Sequence, residues 1–153
     1  MTEAIIAADL PSLVGNELEP SSWMEITQER VNQFADATND HQFIHVDPER
    51  AAQTPFGGPI AHGYLTLSLI PHLTGEHSIK PEGLVMGINY GSDKVRYLQP
   101  VRVGSRIRAR QKILDAREKS PGQWLIRTAV TIEIENAQKP ALIAELLAML
   151  VVR

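Results

Sequence analysis

The sequence has no cysteine among its 153 residues, and only 5% of its residues are aromatic. The lack of cysteine excludes disulfide bonds, thiolate zinc sites, iron–sulfur clusters and a cysteine nucleophile. No apolar run reaches the roughly 20 residues that a membrane-spanning helix needs. The longest candidate, residues 140–152, is shorter and contains Glu145. We therefore predict a protein that has no contact with a membrane.

Neither sign of charge is in large excess, because the sequence has 15 Lys and Arg residues and 18 Asp and Glu residues. A net charge of -3 predicts no nucleic-acid partner. Residues 1–10 contain two acidic residues and no basic one, so they lack the basic start of a secretory signal. The length and an apolar content of 43% predict a single domain over residues 1–153, and we expect it to be cytoplasmic.

The first half of the chain is typical of helices. Apolar residues at the i, i+3, i+4 and i+7 positions from Val31 predict a helix that Thr27 caps. Asp47-Pro48 predicts the start of a second, short helix that runs through Ala52. Residues 60–74 are apolar nearly all round, which predicts one long buried helix.

The second half is typical of strands. Apolar and polar residues alternate over residues 86–97, 107–113 and 124–134, which predicts half-buried antiparallel strands. The composition of residues 141–152 favours a helix, but their place after three strands favours a fourth strand, and we predict the strand. One buried helix wrapped by a curved antiparallel sheet gives an α+β fold.

The densest group of polar residues is the loop segment 36–47. Its Asp40 and His45 could share a water molecule, since imidazole both takes and gives a proton near neutral pH. The acidic residues could instead serve only to end and cap helices, and the residues alone leave both interpretations open. His41 and His45 are four apart, as in a helical metal pair. The glutamate of the zinc-protease motif is missing and Pro48 follows closely, so we predict no metal site.

Gly63 opens the predicted buried helix, in the segment Pro59-Ile-Ala-His62-Gly63. The free N–H groups of a helix start can stabilise negative charge on a carbonyl oxygen. The alternative is that Gly63 only allows close packing between helix and sheet. The sequence has no glycine-rich dinucleotide fingerprint, phosphate loop or nucleophile elbow, which argues against a nicotinamide cofactor, nucleotide hydrolysis and α/β-hydrolase chemistry.

Basic residues occur in two groups. Lys94 and Arg96 follow the turn Gly91-Ser92 and could bind a phosphate or merely be surface charge. The other group lies on one side of a predicted strand and is expected to pair with Glu133 and Glu135 across the ladder. Its members are Arg106, Arg108, Arg110 and Lys112.

Three segments of the chain together resemble the MaoC-like family, the (R)-specific enoyl-CoA hydratases. Residues 34–48 resemble its hydratase motif, with Asp40 and His45 at the positions of the catalytic aspartate and histidine. Residues 59–63 and 97–104 resemble its second and third blocks. Asn39 stands where the motif has glycine, and Gln42-Phe43 stand where it has Asn-Pro. With these changes, and with Ile88-Asn89-Tyr90-Gly91, the chain is similar to the NodN-like subgroup of the family.

The resemblance implies a hot-dog fold, a homodimer and hydration of a trans-2-enoyl-CoA with no cofactor. Asp40 and His45 would hold the water, one as base and the other as acid, and the Gly63 N–H would hold the thioester oxygen. Five further residues are candidates for contacts with the acyl-CoA substrate: His41, His62, Asn89, Lys94 and Arg96. The alternatives are a hot-dog thioesterase, a non-catalytic acyl-thioester binding protein and a purely structural partner.

Overall fold

The computed structural model of the chain describes residues 5–153. Its first part contains short elements: a 3₁₀ helix (Ala7–Leu13), β1 (Met24–Glu25), α1 (Gln28–Thr38), α2 (Phe43–Val46), α3 (Pro48–Ala52), α4 (Gly63–Ser68) and α5 (Ile70–Gly75). Its second part contains four long strands: β2 (Leu84–Tyr97), β3 (Arg106–Ser120), β4 (Gln123–Ile134) and β5 (Leu142–Val152). The predicted α+β arrangement is confirmed, and so is the strand over residues 141–152. Part of the N-terminal segment considered above, residues 1–4, lies outside the described residues.

The two predicted helix starts are confirmed by their caps. The Thr27 side chain accepts a hydrogen bond from the Arg30 N–H at 3.2 Å at the start of α1. The Asp47 side chain accepts one from the Arg50 N–H at 3.1 Å at the start of α3. Each cap satisfies an N–H that has no acceptor inside its own helix. The helix starts therefore follow from local sequence.

The predicted long central helix is divided in two, and it begins later than residue 60. Ile60 is extended and donates its N–H to Ile44 O at 2.9 Å. Helix α4 ends at Ser68 and α5 begins at Ile70, with Pro71 in its first turn. Because proline has no N–H and its ring crowds the carbonyl four residues earlier, a helix rarely continues through it. The prediction of one helix over residues 60–74 was wrong in extent, although the segment is buried as expected.

The five strands form one antiparallel sheet in the order β1-β3-β4-β5-β2. The apolar sides of α4 and α5 pack on residues of β3, β4 and β5 to form the main core. Ile107, Ile132 and Leu142 are fully buried there. Within residues 5–153, no helix is long and apolar enough to cross a membrane.

Strand β2 lies at the edge of the sheet and pairs with β5. Its apolar side chains Met86, Ile88 and Tyr90 are exposed, so the prediction that this strand is half-buried was wrong for the single chain. The reason is its position: α4 and α5 cover the inner three strands, and within residues 5–153 β2 contributes to this core only the partly buried Val95.

Candidate active site

Asp40 lies directly after helix α1, where the chain turns sharply. The turn is made by Asn39, whose φ of 58° is in the left-handed region. Asparagine and glycine are the residues that tolerate this conformation best. Asn39 therefore keeps the backbone geometry that the glycine of the hydratase motif would provide. The Asp40 side chain is 52% exposed, so its carboxylate is open to a ligand.

His45 is in α2 and is buried, with 6% of its surface exposed. Its Nδ1 lies 2.6 Å from the backbone oxygen of Ile60. A carbonyl oxygen only accepts, so Nδ1 carries the hydrogen and the neutral ring has its lone pair on Nε2. The Ile60 N–H bond to Ile44 O fixes this extended segment beside α2. The arrangement leaves Nε2 of His45 able to take a proton.

Burial lowers the pKa of His45 from its ordinary value of 6.5, and it is the largest effect on this group. The hydrogen bond to Ile60 opposes it, the nearby His62 adds to it, and the Asp40 carboxylate opposes it. A lowered pKa keeps the ring neutral over a wider range of pH. His45 is therefore suited to act as a general base near neutrality.

His62 connects the two residues. Its ring stacks on the ring of His45, with 3.8 Å between centroids and 21° between planes. Its Nε2 lies 2.9 Å from the backbone oxygen of Asp40 and 4.0 Å from Asp40 Oδ2. The structure thus brings Asp40 and His45 together, as predicted, through a third residue that precedes α4.

One polar atom of each of these three residues lies within 4.8 Å of the others, a spacing from which a metal ion could be bound. The lone pair of an imidazole nitrogen lies in the plane of its ring. Two rings stacked 21° from parallel cannot aim lone pairs at one ion without turning apart. The stacked geometry does not match the tetrahedral arrangement that Zn²⁺ prefers in proteins. That the site uses no metal stays a prediction.

Gly63 is the first residue of α4, so its N–H has no acceptor inside the helix. A Cβ at this position would lie 2.9 Å from Cε1 of Tyr97, which is closer than real contacts allow. Both interpretations of Gly63 therefore remain: it offers a free N–H, and it allows close contact with the sheet. Tyr97 was missed as a single residue by the sequence reasoning, although its aromatic block was noted.

Of the five predicted substrate contacts, the described hydrogen bonds and ring contacts join only His62 to the Asp40–His45 pair. His41 bonds to Asp36 at 2.8 Å on the surface. Lys94 pairs with Glu145 at 3.3 Å, and Arg96 donates to the neighbouring Val95 O at 2.8 Å.

The expected pairing of the basic side of β3 is confirmed for three of its four members. Arg106 lies 3.0 Å from Glu135, and Arg108 lies 2.6 Å from Glu133. Arg110 also reaches Glu133, at 3.8 Å. This side of the sheet is a network of ion pairs rather than a free basic surface.

Two cavities lie along α4. One of about 380 Å³ lies beside Gly63 and is lined by Tyr64, Tyr97 and Val101. The other, of about 710 Å³, lies between α5 and strands β2, β4 and β5, and Asn89 is among its lining residues. Neither of the two is lined by Asp40 or His45. The pair therefore lies outside both cavities, and Ile60, whose carbonyl oxygen is bonded to His45, lines the smaller one.

Several known proteins are similar to this chain in sequence or fold. Residues 9–135 match the sequence model of the MaoC like domain. Nodulation protein N of Rhizobium meliloti is 50% identical over 146 residues, which cover 95% of this chain and 91% of that protein. The 3-hydroxyacyl-thioester dehydratase Z of Mycobacterium tuberculosis is 48% identical over 139 residues, which cover 90% and 91%.

A solved structure described as the (R)-hydratase from A. caviae involved in PHA biosynthesis is 27% identical, with a TM-score of 0.72. The match covers 88% of this chain and 94% of that one. The chain therefore belongs to the MaoC-like dehydratase family, has its hot-dog fold, and is a hydro-lyase. The resemblance to this family that the sequence motifs indicated is confirmed.

Proposed function

We propose that this protein is an (R)-specific 2-enoyl-CoA hydratase, which adds water across the double bond of a trans-2-enoyl thioester. The observation that carries the proposal is the proximity of Asp40 to a buried His45 whose Nε2 has no hydrogen-bond partner within residues 5–153. The names of two relatives, a 3-hydroxyacyl-thioester dehydratase and an (R)-hydratase, describe the two directions of this reaction.

In the proposed reaction Asp40 and His45 hold one water molecule between them. His45 Nε2 takes a proton from the water as its oxygen bonds to the β-carbon. The electrons of the double bond move onto the α-carbon and the thioester oxygen. The Gly63 N–H at the start of α4 donates to that oxygen, since such a donor stabilises developing negative charge. A proton then returns to the α-carbon from the His45 imidazolium or through Asp40.

The thioester of the substrate would lie in the cavity beside Gly63, and the acyl chain would continue from there. The reaction transfers a proton and adds water, so it needs no redox cofactor. Lys94 and Arg96 remain proposed contacts for the phosphates of CoA, and Asn89 and His41 remain proposed pocket residues. For Lys94 the contact would require its bond to Glu145 to open.

We also propose that the protein is a homodimer whose subunits meet along β2. This strand is at the sheet edge and exposes Val85, Met86, Ile88 and Tyr90, a larger apolar surface than a strand facing water usually shows. A second copy would cover these side chains. A cytoplasmic location and a single domain over residues 1–153 stay predictions from the sequence.

The test is the absorbance of the conjugated enoyl group of crotonyl-CoA and of a longer trans-2-enoyl-CoA, with a thiol reagent alongside. A hydratase removes the absorbance without releasing thiol, and chiral analysis of the product should give the (R)-3-hydroxyacyl thioester. Release of thiol would indicate a thioesterase. No change with either substrate would overturn the proposal and favour a binding protein.

The same absorbance assay tests the catalytic roles proposed for Asp40 and His45. Asp40→Asn and His45→Gln should each lower kcat by roughly 10²–10⁴-fold, the usual contribution of a general acid or base. Asp115→Asn is a matched control, because its side chain is also 52% exposed but lies on β3. It should keep full activity. Full activity in Asp40→Asn or His45→Gln would contradict the assigned roles.

A further inference from the structure

We propose that His62 is a positioning residue, which holds the Asp40 backbone and the His45 ring in their working arrangement without touching the substrate. The inference rests on the proposed function, because it concerns the geometry of that same pair. It differs from the expectation that His62 contacts the substrate.

The first observation is burial. Only 2% of His62 is exposed, and both sides of its ring are in contact with other rings. The ring of His45 stacks on it at 3.8 Å, and the ring of Phe34 packs against it at 4.9 Å with a tilt of 57°. A side chain enclosed in this way has no surface left for a substrate.

The second observation is the hydrogen bond to Asp40. His62 Nε2 lies 2.9 Å from the Asp40 carbonyl oxygen, so in the neutral ring the hydrogen is on Nε2. Asp40 otherwise follows a single left-handed residue in an exposed loop. The bond from His62 fixes this peptide, and it therefore also fixes the backbone position from which the Asp40 carboxylate extends.

The third observation concerns the second ring nitrogen of His62, Nδ1. Nδ1 of His62 is buried and has no hydrogen-bond partner within residues 5–153. A buried acceptor without a donor is unfavourable, and an apolar side chain of the same shape would avoid it. If the position needed only packing, an imidazole would be a poor choice. The Nε2–H bond to Asp40 is the interaction that requires it.

The contacts on His45 come from two sides. Its Nδ1–H is held by Ile60, and one face of its ring is held by His62, so rotation of the ring is opposed by both. The titratable groups that face His45 are His62 and Asp40. Charge on His62 lowers the pKa of His45 and charge on Asp40 raises it. His62 therefore acts on both the place and the protonation of the base.

Two substitutions separate these contributions. His62→Phe keeps a ring to stack on His45 but removes the donor to Asp40. His62→Gln keeps an amide donor that can reach the Asp40 carbonyl but removes the ring. Since a misplacement of about 1 Å can cost about 10²-fold in rate, we expect His62→Phe to lower kcat by roughly 10- to 100-fold with little change in KM. Because it keeps a donor to the Asp40 carbonyl, His62→Gln should lower kcat less than His62→Phe does.

The pH profile provides a readout that a purely structural role would not move. His62 lowers the pKa of His45, so its replacement by glutamine should raise that pKa. A base must be unprotonated, so the acid limb of kcat/KM should move to higher pH in His62→Gln. His72→Gln, on the exposed surface of α5, is the matched control and should change neither kcat nor the pH profile.

NMR titration of the His45 ring distinguishes the two proposals. If the wild type hydrates no enoyl-CoA, the proposed function fails, but His62→Gln should still raise the pKa of His45 in this measurement. Folded His62→Phe and His62→Gln proteins with wild-type kcat, pH profile and His45 titration would overturn the role of His62. Should His62→Phe not fold, His62→Gln alone decides.

Discussion

Strands β2 and β4 have similar sequence patterns but very different surroundings. Apolar residues occupy every second position over residues 86–90 of β2 and over residues 130–134 of β4. In β4, Val130 and Ile132 are buried in the core that α4 and α5 form with the sheet, and Ile132 is 0% exposed. In β2 the apolar Ile88 is 47% exposed, because no helix covers the edge of the sheet. Alternation therefore identifies a strand but does not show what covers its apolar side.

The two strands also differ in their relation to the candidate site. Strand β4 supports the core on which α4 packs, and the described partners of Asp40 and His45, Ile60 and His62, lie outside it. Strand β2 ends at Tyr97, whose ring lies against Gly63 at the start of α4. The edge strand is thus the part of the sheet nearest the proposed oxyanion donor. Substitutions in the two strands should have correspondingly different effects.

The largest effect on stability should come from Ile132→Ala in β4. Removing a fully buried isoleucine side chain should lower the free energy of unfolding by about 2–5 kcal/mol, measured by urea denaturation. Ile143→Ala, at an exposed position of the neighbouring β5, should change it by less than about 0.5 kcal/mol. Equal losses in both variants would show that the core does not lie where the structure places it.

An intermediate effect is expected from Gly63→Ala. The added Cβ must displace the ring of Tyr97, and overpacking of this kind typically costs about 1–3 kcal/mol of folding free energy. Thermal unfolding and kcat/KM should both fall. Gly75→Ala, where a Cβ meets no atom within 4 Å, serves as the control and should be neutral.

The combination of Gly63→Ala with Tyr97→Ala sharpens this test. Stability should return toward that of Tyr97→Ala, because the displaced ring is gone. Alanine keeps the backbone N–H of position 63, so activity that recovered together with stability would indicate that glycine is needed there only for close packing against Tyr97.

The smallest effect on the stability of a single chain should come from Ile88→Lys in β2. A charged side chain at an exposed edge position disturbs little within one chain, but lysine at a sheet edge opposes pairing with another copy. Sedimentation velocity should therefore show a monomer in place of a dimer. Val14→Lys, at another exposed apolar position, should remain dimeric. A wild-type protein that is already monomeric would contradict the proposed dimer.

Local signals in the sequence predicted part of the fold correctly. Thr27 and Asp47 were identified as helix caps because a cap needs only residues close in sequence. The break at Leu69 was missed, although Pro71 gave a local signal for it. The exposure of β2 had no local signal, because burial of a strand depends on which helices pack over the sheet.

In the candidate site, too, some features follow from local sequence and others depend on distant residues. Asp40 and His45 were found from their motif, since they lie only five residues apart in the sequence. The partners that give them their properties come from further along the chain: Ile60 O fixes the tautomer of His45, and His62 Nε2 fixes the Asp40 peptide. A carbonyl oxygen is present in every residue, so no sequence pattern marks the one that will accept this bond.

The sequence by itself determined the strands, the two capped helix starts and the reactive groups, because these depend on neighbouring residues and on side-chain chemistry. The tertiary structure alone decided that β2 is exposed, that His62 stacks on His45 and that the ring of Tyr97 reaches Gly63. These contacts join residues 17 to 34 positions apart. They form only when α4 packs on the curled sheet, and burial there lowers the pKa of His45.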